Sequence, residues 1–159
     1  MDYAAKIFHD KIEDTPLAKS LADGSVDPIL YREYLRNSLA VWESLEKRFD
    51  LARKLGVAQR IRDDLALTRP DPYEDESVHW RAELQASNAN EADLYVLGLG
   101  LCFGGKMMAR AITARQPDLP TRHMQMPRGA VKRLRELEPN SSGIASAFSQ
   151  TLAWYSNAA

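Results

Sequence analysis

In the stretch YAAKIFHDKIED near the start of the chain, His9 is followed four residues later by Glu13. On a helix that spacing brings both side chains to one face. An imidazole beside a carboxylate is an arrangement with which proteins hold a metal: one ring nitrogen binds, and the carboxylate orients the ring and raises its basicity. A second stretch, LGLGLCFGGKMMAR at residues 97–110, holds Gly98, Gly100, Gly104 and Gly105, half of the chain's 8 glycines. Its flanks are strong helix formers, and each glycine inside a helix costs about 0.5–1 kcal/mol relative to alanine. Gly100 and Gly104 lie one turn apart with Gly105 beside them, and the residues between are bulky and apolar. Such a helix bares its backbone along one strip and bends there. A flat ligand can then lie against peptide N–H and C=O groups where any side chain would collide.

The remaining constellations point less far. Glu76-x-x-His79 has the spacing of a carboxylate-bridged di-iron pair. Such a site takes roughly six ligands from several helices, and the chain's 3 histidines leave no second pair. Cys102 lies between Leu101 and Phe103 with no adjacent base, as a small buried hydrophobe does. HMQMP at residues 123–127 offers one histidine and two methionines, a thin set for a soft metal, and reads as a loop packed on the core. Trp80 and Trp154 recur at helical spacing with other apolar residues and are expected inside.

The elements that must position these groups are helices. Thr15-Pro16 and Asp27-Pro28 each set a capping side chain before a proline at the first helical position. From Asp27 a long helix is expected as far as Gly56, with Tyr31, Leu35, Val41, Trp42, Leu45 and Phe49 on its buried stripe. VAQRIRDDLALT forms the next and ends at Arg69-Pro70, and another begins near Asp75. Residues 90–115 form one long helix closed by Pro117 and Pro120, while RGAVKRLRELE and SSGIASAFSQTLAWY supply the last two. No run alternates apolar and polar residues at period two. The expected fold is all-α, a single domain over residues 1–159.

With 21 basic and 22 acidic residues the net charge is −1, and neither sign forms a block, which argues against nucleic acid as a partner. The single cysteine excludes an internal disulfide framework and fits a reducing compartment. The charged N-terminal residues do not read as a signal peptide, and no uninterrupted apolar run reaches membrane-spanning length. A cytoplasmic protein without membrane insertion is expected.

Three elements in order resemble the haem oxygenases. His-x-x-x-Glu followed by glycine fifteen residues after the histidine, here His9, Glu13 and Gly24, is similar to that family's proximal region. VDPILYREYLRNSLAVWESLE looks like its second long helix, with the closing Trp42, Leu45 and Glu46, and IRDDLAL loosely resembles the element that follows. The distal helix reads Y-x-x-x-x-G-x-x-x-G-G in the family and is matched by Tyr95, Gly100, Gly104 and Gly105. The resemblance covers about residues 4–110 and implies a haem-oxygenase-like helical bundle. Protohaem (haem b), substrate and cofactor at once, would lie between the helix of His9 and a glycine-bent distal helix at residues 98–108.

Carried over residue by residue, it implies His9 as the iron ligand, Glu13 as its partner, and Gly100, Gly104 and Gly105 as the distal ceiling. Lys6 and Tyr95 fall where relatives hold the haem propionates, with Lys132 or Arg133 completing the clamp. The implied reaction opens haem to biliverdin, carbon monoxide and ferrous iron with O2 and electrons from a reductase or ferredoxin. One departure bears on this. Many members carry an aspartate after the first distal glycine, organising waters that deliver protons for oxygen activation; this chain has Leu101, and Leu97 stands where some relatives are basic. A pocket so dried slows proton delivery, so reduced turnover, or haem binding and carriage without turnover, is the alternative, and a non-haem di-iron oxidase through Glu76 and His79 is a second.

Overall fold

The computed structural model describes residues 3–70, 72–74 and 81–157. Their regular structure is helical throughout. It comprises α1 (Tyr3–Glu13), α2 (Pro16–Asp23), α3 (Pro28–Arg48), α4 (Asp50–Leu55), α5 (Val57–Leu67), α6 (Glu83–Ser87), α7 (Glu91–Arg115), α8 (Ala130–Arg135) and α9 (Ser141–Ser156), with a 3₁₀ turn at Arg122–Met124. The all-α expectation is met. Glu76, His79 and Trp80 lie outside the described residues, as does the expected helix start at Asp75.

The helix starts follow the capping chemistry in the sequence. Thr15 Oγ1 accepts from the Ala18 N–H, Asp27 from those of Ile29 and Leu30, and each is followed by proline at the first turn. Asn90 opens α7 with a reciprocal capping box: its side chain accepts from Ala92 and Asp93, and the Asp93 carboxylate accepts the Asn90 N–H. Such caps are worth about 1 kcal/mol each.

One expected helix is two. The segment from Asp27 to Gly56 breaks at Phe49, whose extended backbone (φ −129°, ψ 125°) separates α3 from α4. There the Phe49 side chain packs against the core, and the Arg53 guanidinium donates to the Glu46 carbonyl, serving an acceptor near the break. The stripe residues Tyr31, Leu35, Val41, Trp42 and Leu45 are all buried.

One main core joins Leu17 and Leu21 of α2, Leu35 and Leu45 of α3, Ile61 of α5, Leu94 and Ile112 of α7 and Trp154 of α9. α1 lies along α9, α3 packs against α5 and α6, and α7 packs against α2, α8, α9 and the 3₁₀ turn. A polar web ties α6, α7 and α9 inside this core. Gln85 donates to Asp93 and Thr151, each at 2.9 Å, and accepts from the Trp154 indole at 2.8 Å. By length and composition α7 is also the one described helix apolar enough to cross a membrane. Its neighbours cover one side of it; the uncovered side lines a cavity.

The backbone at position 24 requires a glycine. Gly24 caps α2 in the left-handed region (φ +80°), and a Cβ there would collide with the Ala111 carbonyl of α7. The turn after α2 is thus laid backbone to backbone on α7, and Gln116 secures it by donating to the carbonyls of Gly24 and Val26.

Burial, foremost, holds the phenols of Tyr31 and Tyr34 above the ordinary tyrosine range. A group whose folded pKa is raised adds stability that is whole below the unfolded pKa, about 10 for tyrosine, and is lost as pH rises beyond it. We expect the unfolding free energy to fall by about 1.4 kcal/mol per buried phenol for each pH unit above 10. Urea midpoints at pH 9 and pH 11 check this, and Tyr31→Phe reduces the slope. A midpoint that stays flat would show that both phenols ionise freely in the folded protein.

Candidate functional site

Helical periodicity sorts the glycines of α7 into two faces. Gly98 and Gly105, seven residues apart, share the packed face: a Cβ on Gly98 would lie 2.8 Å from both methyl carbons of Leu134, and one on Gly105 would lie 2.8 Å from the Met124 carbonyl. Gly100 and Gly104, one turn apart, share the other. A Cβ on Gly100 meets nothing within 4 Å, and one on Gly104 meets only the Met108 methyl at 3.7 Å. Before this second face lies a cavity of about 1070 Å³, at the upper limit of the ~300–1,000 Å³ usual for small-molecule pockets.

The cavity is walled by α1, α2, α3, α7 and α9. His9, Ile12 and Glu13 face it from α1; Leu97, Gly100, Leu101, Gly104, Met107 and Met108 from α7; Tyr34, Val41 and Trp42 from α3; and Phe148 and Trp154 from α9. Most of this surface is apolar. Phe103 and Met107 stand 58% and 70% exposed at its edge, with the Arg135 guanidinium 5.5 Å from the Phe103 ring centre. Tyr95 of α7 and Lys19 of α2 also line it.

His9 is partly exposed, its ring set edge-on to Phe148 at 5.6 Å between centres. Its Nε2 lies 3.4 Å from Glu13 Oε1 and its Nδ1 3.4 Å from Asp10 Oδ1. Both contacts are looser than good hydrogen bonds, so either nitrogen can turn to a metal while a carboxylate orients the other. Donor atoms of His9, Asp10 and Glu13 lie within 4.8 Å of one another. The donor set, an imidazole backed by carboxylates on an apolar cavity, fits a residue that would hold a haem iron. The strip at Gly100, where a side chain would fill open space, suits the flat macrocycle.

Several expected residues lie elsewhere. Gly105 belongs to the packed face of α7, a full helical repeat from Gly98, and does not line the cavity. Lys6 is held by Asp10 at 2.7 Å, exposed to solvent and off the cavity wall. Lys132 and Arg133 sit on α8, whose Leu134 packs onto Gly98 and so places that helix against the far face of α7; Lys132 lines a shallow surface depression there. Cys102 is half-buried, with burial raising its thiol pKa, as expected of an inert packing residue. The HMQMP loop packs inward, with His123 and Met124 buried.

Two cavity residues, Lys19 and Tyr34, carry no signal in the sequence that singles them out, and a third, His123, stands out there only as the histidine of the HMQMP loop. Lys19 reads as one more exposed helical lysine, and Tyr34 as one more aromatic on an amphipathic helix. The chain matches no family model, no curated protein and no solved structure.

Proposed function

We propose that this protein is a haem oxygenase, opening haem to biliverdin, carbon monoxide and ferrous iron with O2 and electrons from an external reductase or ferredoxin in the cytoplasm. The observation that carries the reading is the shared cavity: an imidazole with carboxylate neighbours and a strip of bare helix backbone line one large apolar space. Haem, when bound, supplies the redox-active iron and the macrocycle that is opened. His9 would hold the iron from α1, Glu13 or Asp10 would accept a hydrogen bond from its other ring nitrogen, and Gly100 and Gly104 would let the ring approach the main chain of α7. Lys19 and Tyr95 are the lining side chains able to meet propionates, in place of Lys132 and Arg133. The apolar walls exclude bulk water, which protects a reactive intermediate from side reactions.

A second reading, a haem carrier of the same fold with little turnover, is favoured by Leu97 and Leu101, which face the cavity where a polar network would serve oxygen chemistry. Turnover separates the two. With a reductase supplying electrons and catalase removing free peroxide, we expect the haemin complex to yield biliverdin. Leu101→Asp is expected to raise the rate roughly tenfold, about 1.4 kcal/mol in the barrier, by anchoring one more ordered water. Burial will raise the new carboxyl's pKa and cost some stability. A wild type that binds haemin through His9 and forms no biliverdin establishes the carrier.

A further inference from the structure

Three polar side chains that this reading leaves unused join the cavity wall to the core. Tyr34 of α3 and His123 of the 3₁₀ turn both line the cavity, and Asp64 of α5 lies fully buried behind them. The Tyr34 hydroxyl is 3.0 Å from His123 Nε2, and His123 Nδ1 is 2.7 Å from Asp64 Oδ2. Asp64 also accepts the backbone N–H groups of Arg122 at 3.1 Å and His123 at 2.9 Å. Ser38, one turn further along α3, also lines the cavity.

The backbone bonds to Asp64 already fasten the loop to α5. Anchoring therefore does not require the imidazole or the phenol, whose places apolar rings could fill without desolvating polar groups. What the two rings add is a continuous path from a cavity-facing O–H to a buried carboxylate, on a cavity whose α7 face carries Leu97 and Leu101.

We infer that Tyr34 is the acid–base residue of this cavity, delivering protons to oxygen reduced there, with His123 and Asp64 as the positioning residues behind it. The inference rests on the haem oxygenase reading. In the delivering state His123 is an imidazolium beside the Asp64 carboxylate, donating Nε2–H to Tyr34, whose own hydroxyl points its proton to the reactant. The Tyr34 O–H bond breaks as the acceptor oxygen gains the proton. Nε2–H breaks in turn and re-forms the Tyr34 hydroxyl. One proton has left the chain, and neutral His123, still donating Nδ1–H to Asp64, takes up another from water through the same path in reverse.

Tyr34→Phe keeps the ring and removes the path. In ligand-free protein labelled with ¹⁵N-histidine, we expect this change to move the His123 Nε2 signal and leave Nδ1 in place; an unmoved Nε2 overturns the coupling. In the haemin complex we expect affinity within about twofold of wild type and biliverdin formation at least about tenfold slower, below the 10²–10⁴ typical of acid–base groups because water substitutes in part. The electrons consumed should then leave as hydrogen peroxide. His123→Gln, which keeps a donor toward Asp64, is expected to slow turnover equally, and it stands in if Tyr34→Phe folds poorly. Turnover at the wild-type rate, or a slower rate without added peroxide, overturns the inference. Failure of the wild type to bind haemin is seen before any variant is compared, and it removes the reading and the inference together.

Discussion

Replacing His9 with alanine is expected to weaken haemin binding by about 100-fold or more, roughly 2.7 kcal/mol, and to remove the sharp Soret band of an imidazole-ligated complex. Loss of a residue that merely orients a metal ligand costs 10–100-fold, so loss of the ligand itself sits at or above the top of that range. The fold should hardly notice. His9 is 39% exposed, its two carboxylate contacts are both 3.4 Å, and its ring meets Phe148 in a T-shaped contact. Far-ultraviolet circular dichroism and the urea midpoint should therefore match wild type, and added free imidazole should restore part of the spectrum. Glu13→Gln is expected to cost about tenfold in affinity, as an orienting partner does. A His9→Ala complex spectrally identical to wild type would take His9 out of the account.

Gly100→Leu should be the mirror case, in which the ligand is blocked by an added side chain rather than lost with a removed one. Nothing lies within 4 Å of a Cβ at Gly100, so the leucine points into the cavity, where the macrocycle is proposed to lie. Haemin affinity is expected to fall by about 100-fold or more, while stability holds or rises by up to about 1 kcal/mol, because leucine is a far better helix former than glycine. Gly105→Leu provides the contrast. There the new side chain meets the Met124 carbonyl on the packed face, and a loss of about 1–3 kcal/mol is expected from overpacking. Urea melts and haemin titrations of the two variants measure both quantities. If Gly100→Leu binds haemin normally while losing stability, the strip at Gly100 serves helix packing and not a ligand.

What could be seen in the sequence was whatever depends on nearby residues. Thr15, Asp27 and Asn90 cap the helices they precede because a cap needs only the next turn, and the pairing of His9 with Glu13 needs only a helix between them. The break at Phe49 has a tertiary cause, the seat its ring finds in the core, and no local residue announces it. The resemblance places Gly105 with Gly100 and Gly104 in a distal ceiling, while helical periodicity sets it with Gly98; what tells the faces apart is contact with Leu134 and Met124, distant in sequence. The same reason hid the path behind the cavity. His123 meets Asp64 across 59 residues and Tyr34 across 89, and in the sequence it stood only beside two methionines. Whether Lys132 and Arg133 reach the cavity depends on how α8 is turned, and the packing of Leu134 on Gly98, distant in sequence, turns that helix to the far side of α7.

The measurement that reaches the central claim most directly is a titration of haemin into the ligand-free wild-type protein, followed by visible absorption. The account predicts a sharp Soret band that grows linearly and breaks at one haemin per chain, with the break lost in His9→Ala and in Gly100→Leu. A broad band of free haemin that persists without saturation, in wild type and variants alike, would contradict it.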